Sequence, residues 1–125
     1  MDKKRILLVD DEAALTRSLG MYLEATGKFE IRAVNRGGEA IRVAREFKPH
    51  LVLLDLMMPE VYGTEVAERM KADPELTAVP IVFLTALVKK SEVGADGSDI
   101  GGHPFLAKPV DPEKVVECIE RNLRR

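Results

Sequence analysis

A single cysteine, Cys118, stands in 125 residues. One thiol excludes an internal disulfide and fits a reducing, cytoplasmic setting; it reads as a small core residue on a helix. Neither charge is in excess, since 19 basic and 21 acidic side chains leave a formal net charge of -2. That balance gives no reason to expect direct binding to nucleic acid or to an anionic membrane surface. No apolar run approaches the roughly 18 residues of a membrane span, and no secretory segment opens the chain. Repeats, linkers and low-complexity tails are also lacking. One domain over residues 1–125 is expected, long enough to bury about two-thirds of the surface of its unfolded chain.

What is present is an alternation. Four short runs rich in Val, Ile and Leu appear, "RILLVD", "FEIRAV", "LVLLDL" and "PIVFLTA". The first, third and fourth are apolar almost throughout, as strands covered on both faces are. The second alternates more and suits a place near an edge. Helical patterns lie between them, with apolar faces of Leu15, Leu19, Tyr22 and Leu23, then Ala40, Ile41, Ala44 and Phe47, then Val66, Ala67 and Met70. A last face of Val115, Val116, Ile119 and Leu123 follows Asp111-Pro112-Glu113, a sequence suited to an N-cap and first turn. A fifth strand is expected in "HPFLAK". Strands alternating with helices predict an α/β fold, a parallel sheet with helices on both faces, whose ligands bind at the carboxyl ends of the strands.

The polar residues collect at those ends. The first strand runs into Asp10-Asp11-Glu12, the third into Asp55, the fourth into Thr85 and the fifth into Lys108-Pro109. Carboxylates gathered at one sheet edge repel one another, and a hard divalent cation such as Mg²⁺ relieves that repulsion. A lysine and a hydroxyl beside them suit an incoming phosphoryl group, and an aspartate carboxylate can itself be the nucleophile. Taken singly, each has a plain structural reading: Asp10 or Asp11 as a helix cap, Thr85 as a strand residue, Lys108 as a solvated loop lysine, Phe105 as core. Their joint placement at four strand ends favours a site.

"VDDE", "LLDLMMPEVYG", "PIVFLTA" and "FLAKP", in that order and spacing, make the chain resemble the receiver domain of two-component response regulators over nearly its whole length. The resemblance implies a flavodoxin-like, doubly wound, five-stranded parallel sheet of order 2-1-3-4-5. It implies that Asp55 accepts a phosphoryl group, that Asp10 and Asp11 hold Mg²⁺ (Asp11 the more direct ligand), and that the Met57 carbonyl completes the protein's ligand set with Asp55. It implies that Thr85 bonds the phosphoryl oxygen and moves on activation, that Lys108 pairs with the phosphoryl group, and that Phe105 is the aromatic switch. Pro59 and Gly63 fall in the loop after the phosphoacceptor, and Lys108-Pro109 is a bond often cis in the family. The implied partners are a sensor histidine kinase or a histidine phosphotransfer protein upstream and a protein target or output domain downstream, in the cytoplasm, with no direct nucleic acid and no membrane. His50 and His103 match no histidine role in that pattern.

Two rival readings differ in kind. A phosphohydrolase of the haloacid dehalogenase type also uses a strand-end aspartate, but needs a second aspartate two positions on, where this chain has Met57. A receiver fold used as a binding module without phosphorylation is the other; it would leave an intact site unused. The implied receiver is no enzyme in the turnover sense, gaining and losing its own phosphoryl group only. Met57 and Leu87 sit at positions that influence phosphoryl loss in the family, and both are apolar, which suggests a long-lived phosphoryl state.

The glycine-rich stretch before Lys108 stands apart. Gly94, Gly97, Gly101 and Gly102 make it a poor helix, since each interior glycine costs about 1 kcal/mol relative to alanine. It lacks the Gly-Lys-Ser/Thr of a P-loop and the alternating acids and closing glutamate of a calcium loop. Residues 89–102 are therefore expected to form a short, frayed or displaced fourth helix on the output face.

Overall fold

The computed structural model describes residues 2–86 and 99–124. In chain order these form β1 (Lys4–Val9), α1 (Ala13–Ala25), β2 (Phe29–Val34), a 3-10 turn (Gly37–Glu39) leading into α2 (Ala40–Phe47), β3 (Leu51–Asp55), α3 (Gly63–Ala72), β4 (Ile81–Thr85), β5 (Asp99–Ile100), β6 (His103–Ala107) and α4 (Pro112–Leu123). The sheet order is β2-β1-β3-β4-β6-β5. All pairs are parallel except β5 with β6. This is the flavodoxin-like arrangement, with β6 as the expected fifth strand.

The continuous apolar runs follow from burial on both faces. Along β1, β3 and β4 successive side chains point to opposite sides. Leu7, Val9, Val52, Leu54 and Phe83 pack with Val43, Phe47, Val66 and Met70 of α2 and α3. Ile6, Leu8, Leu51, Leu53, Val82 and Leu84 pack with Leu19, Leu23, Val115, Cys118 and Ile119 of α1 and α4. β2, the alternating run, is the edge strand, with four of its six residues only partly buried or exposed. On α1 the buried stripe is Thr16, Leu19, Gly20 and Leu23, so Tyr22 lies outside it at 40% exposure. Asp111 caps α4 as expected, accepting from the Glu113 amide at 3.0 Å with Pro112 in the first turn.

Two features differ from the sequence expectation. The sheet has a sixth strand, because Asp99 and Ile100 turn back on β6 in an antiparallel hairpin, Ile100 opposite His103. Gly101 and Gly102 hold φ of 58° and 84°, the pair of positive values that a two-residue hairpin turn demands and that glycine adopts without a Cβ penalty. The Gly102 amide donates to Asp99 Oδ2 at 2.8 Å. Residues 99–102 therefore do not belong to a fourth helix; the two glycines close a turn rather than end a helix. The rest of that expectation, residues 89–98, and Leu87 lie outside the described residues.

Both histidines take structural places. His50 Nδ1 accepts from the Arg5 amide at 2.9 Å while the His50 amide donates to the Arg5 carbonyl at 2.8 Å, extending the β1–β3 pairing by one residue. Burial, then the charges of Arg5 and Lys4, hold its imidazole below the usual range. His103 sets its ring edge-on against Phe83, centroids 5.6 Å apart.

Candidate functional site

Parallel strands bring their carboxyl ends to one edge, and the register sets how closely. Val9 pairs with Leu54, Asp55 with Leu84 and Thr85 with Ala107, so the residues at and just after these positions face one another across neighbouring strands. The structure brings together Asp10, Asp11, Asp55, Thr85 and Lys108. Asp10, Asp55 and Thr85 are buried, at 1%, 4% and 1% exposure, while Asp11 is exposed. One carboxylate oxygen from each of Asp10, Asp11 and Asp55 lies within 4.8 Å of the others. A cleft of about 220 Å³ opens over them, lined by Asp11, Glu12, Asp55, Met57, Ala86 and Lys108. Phe105 stands two residues before the end of β6, half-buried against the α2–α3 side of the core. Met57 is 48% exposed beside the cleft, and the Lys108-Pro109 peptide is cis.

Local hydrogen bonds hold the acids in place. The Asp10 amide donates to Val34 O at 3.0 Å, and Asp10 Oδ1 accepts from the Glu12 amide at 2.9 Å. Asn35, just past β2, donates Nδ2 to Asp10 O at 2.8 Å and to Thr16 Oγ1 at 3.0 Å. Asn35 was not singled out in the sequence, because nothing local marks an asparagine after an edge strand as a brace for a distant acid. The loop beyond Asp55 folds back through a Met57–Tyr62 bridge, and the Gly63 amide donates to Leu56 O at 2.8 Å.

The charges do not balance. Lys108 Nζ is 2.6 Å from Glu12 Oε1, 2.8 Å from Asp10 Oδ2 and 3.5 Å from Asp55 Oδ1. The contact with Asp10 is an ion pair, and beyond it the buried Asp10 Oδ2 finds no hydrogen-bond partner among the described residues. Burial works to lower the Lys108 ammonium, but its close contacts with Asp10 and Glu12 and the charge of Asp55 outweigh it and hold it above its ordinary value. Burial first, then the charge of Asp10, then the Asp11 side chain push the Asp55 carboxyl up to about 7, against the pull of Lys108 and the Met57 amide. Among the described residues, the carboxylates of Asp10, Glu12 and Asp55 thus share the Lys108 ammonium, with Asp11 beside them. The gathered negative charge, the hard oxygen donors and the buried Asp10 oxygen, held by the lysine alone among the described residues, all fit a divalent cation of the Mg²⁺ kind.

This crowding has a consequence for stability. Asp55 holds its proton more tightly in the folded chain than its ordinary value of 3.8 allows. Between about pH 4 and 7 the folded state therefore carries the extra proton, and stability falls as pH rises through that window and stays reduced above it. Without divalent cation, Asp55→Asn should be more stable than the wild type at about pH 8, by on the order of 1–3 kcal/mol. The gap should narrow by pH 5 and close below about pH 4. Urea titrations at these pH values test this, and equal stability at the highest pH would rule out charge crowding at Asp55.

Comparison with known proteins agrees with this geometry. The family described as the response regulator receiver domain matches residues 6–120. The chain is 37% identical over 123 residues to the DNA-binding response regulator MtrA of Mycobacterium tuberculosis strain H37Rv, a match covering 98% of this chain and 52% of that protein. It spans about half the length of the curated relatives it matches. Among solved structures, a response regulator from Desulfuromonas acetoxidans is 30% identical with a TM-score of 0.83, covering 97% of each chain. The Vibrio cholerae chemotaxis protein CheY4 shares the fold, at a TM-score of 0.84 and 23% identity over 96% of this chain and 98% of that one. Among the described residues no helix is long and apolar enough to cross a membrane.

Proposed function

This chain belongs to the response regulator receiver domain family, the class of phosphorylation-dependent signalling switches, and we propose that Asp55 is its phosphoacceptor. Membership implies a histidine kinase as partner; a histidine phosphotransfer protein would serve the same chemistry. The observation that carries the proposal is the set of Asp55, Lys108 and the acid cluster around one open cleft.

An Asp55 carboxylate oxygen attacks the phosphorus of a phosphohistidine from the side opposite the departing nitrogen. The O–P bond forms as the P–N bond breaks, and the electron pair leaves with the imidazole nitrogen. Lys108, at 12% exposure, offers a fixed positive charge 3.5 Å from the attacking carboxylate, where a preorganised charge is worth most. Asp10, Asp11 and Asp55, with the Met57 carbonyl, would hold Mg²⁺, which when bound neutralises charge on the phosphoryl oxygens. Thr85 then bonds a phosphoryl oxygen, and Phe105, half-buried beside it in the fold, repacks inward and changes the surface that a downstream target reads.

The DNA-binding part of the name MtrA is said of a protein twice as long and runs against the expectation of no nucleic acid if extended to a whole regulator. For the receiver portion we assign no nucleic-acid contact, since its net charge is -2 and nucleic-acid affinity rests on clustered positive charge. Incubation with acetyl phosphate and Mg²⁺ followed by intact-mass measurement tests the proposal: one phosphoryl group per chain is expected. An unchanged mass, where a control receiver is labelled, would leave the alternative of a phosphorylation-independent binding module. Steady release of phosphate from phosphate esters would instead favour the hydrolase reading, which Met57 in place of the required acid opposes.

Met57, apolar and half-exposed at the cleft, offers an attacking water only a weak sulfur acceptor and no donor. With the equally apolar Leu87 it should make the phosphoryl state comparatively long-lived. Polar substitutions at both positions should speed loss of the label several-fold, and an unchanged decay rate would end this idea.

A further inference from the structure

Glu12 attracts no role from the acid pair that precedes it, yet it makes the closest contact with the site lysine. We infer that Glu12 is a positioning residue that holds the Lys108 ammonium off Asp55 and must release it as the phosphoryl group arrives; this inference rests on Asp55 being the phosphoacceptor.

Three observations carry it. Lys108 Nζ lies 2.6 Å from Glu12 Oε1 and 3.5 Å from Asp55 Oδ1, so the exposed acid has the shorter contact. Glu12 and Lys108 together line both the 220 Å³ cleft and a neighbouring apolar groove of about 530 Å³ between α1 and the Pro109–Pro112 segment. Their pair therefore stands at the border between the two. Finally, the Glu12 side chain does not cap α1. Its carbonyl accepts from Leu15 and Thr16 and its amide donates to Asp10, all through backbone atoms. The carboxylate can be changed without disturbing the hydrogen bonds that start the helix.

The contacts of Lys108 differ in how readily they yield. Asp10 is buried and has no solvent to replace the lysine, whereas the Glu12 side chain is 60% exposed. An exposed ion pair is weak because water replaces it easily. When Asp55 forms its O–P bond and the carboxylate of an acyl phosphate leaves with the electron pair of the broken P–O bond, negative charge builds on the transferring phosphoryl group. Lys108 reaches that charge by giving up Glu12. Each such release costs the strength of the Glu12–Lys108 pair, so Glu12 slows phosphorylation and sets its rate.

The test compares labelling rates of the wild type, Glu12→Gln and Glu117→Gln with acetyl phosphate at saturating Mg²⁺, where differences in metal affinity drop out. Glu117 is an exposed acid on α4 and controls for the loss of one charge. Glu12→Gln should label about two- to fivefold faster than the wild type, the worth of an exposed ion pair, with Glu117→Gln unchanged and all three melting alike. The ratio of Glu12→Gln to wild type should fall toward one as salt is raised to about 1 M, where screening acts within about 3 Å. A Glu12→Gln rate equal to or below wild type overturns the inference, as does a ratio that salt does not alter. A wild type that takes no label overturns instead the assignment of Asp55 as phosphoacceptor.

Discussion

Asp55→Ala should take up no phosphoryl group from acetyl phosphate and Mg²⁺ under conditions that label the wild type fully. The expectation is this strong because the neighbouring acids are poorly placed to substitute. Asp10 is buried at 1% exposure, has Oδ1 committed to the Glu12 amide and does not line the cleft. Asp11 and Glu12 do line it, but they are exposed, and a hydrated carboxylate is a weak nucleophile. Asp55 alone combines burial, a place in the cleft and a lysine at 3.5 Å. Lys108→Ala should still be labelled at Asp55, but about 10²- to 10³-fold more slowly, the cost of losing one preorganised partner for developing charge. Intact mass with peptide mapping measures both. Label that persists in Asp55→Ala, wherever it maps, would remove Asp55 from the centre of the mechanism.

Among the described glycines, Gly63→Ala should be the most damaging substitution. A Cβ on Gly63 would collide with the Asp55 carbonyl oxygen and stand 3.0 Å from Leu56 Cα and 3.1 Å from the Asp55 carbonyl carbon. All three are backbone atoms, so no side-chain rotation relieves the clash. The start of α3 must move away from the end of β3, breaking the 2.8 Å bond from the Gly63 amide to Leu56 O. Overpacking of a well-packed site costs about 1–3 kcal/mol; contact with backbone places this case at the upper end, about 3 kcal/mol. Asp55 is shifted at the same time, so acyl phosphate labelling should fall with stability. Gly20→Ala is the matched control. Its Cβ meets Ile31 Cγ2 at 3.5 Å, an ordinary contact, and an interior helix position gains up to about 1 kcal/mol from alanine. Urea midpoints should therefore move in opposite directions for the two variants. A Gly63→Ala protein as stable as the wild type would show that the α3 start is not held against β3 as described.

Much of this was legible before any coordinates. The apolar runs of β1, β3 and β4 announce burial on both faces, and the alternation in β2 announces an edge, because side-chain direction along a strand has a period of two. The parallel topology then sends the acids, Thr85 and Lys108 to one end of the sheet, since every strand of a parallel sheet finishes at the same edge. The pattern of those residues was enough to mark the family.

The hairpin at Asp99–Pro104 was legible in principle from Gly101-Gly102, but a two-residue strand has too little pattern to compete with the expectation of a helix. Asn35 was not legible at all, and Glu12 was legible only as the third acid after β1, not as the partner of Lys108. Their importance lies in contacts across 25 residues to Asp10 and 96 residues to Lys108, and no local rule of sequence reports a distance through space. The sequence by itself determined which chemical groups gather at the sheet edge, because strand periodicity and topology are properties of the chain. The tertiary structure alone decided how their charges are shared. Coulomb energies and desolvation depend on ångström separations and burial, and these left Asp55 pressed toward neutrality and Lys108 closer to Glu12 than to Asp55.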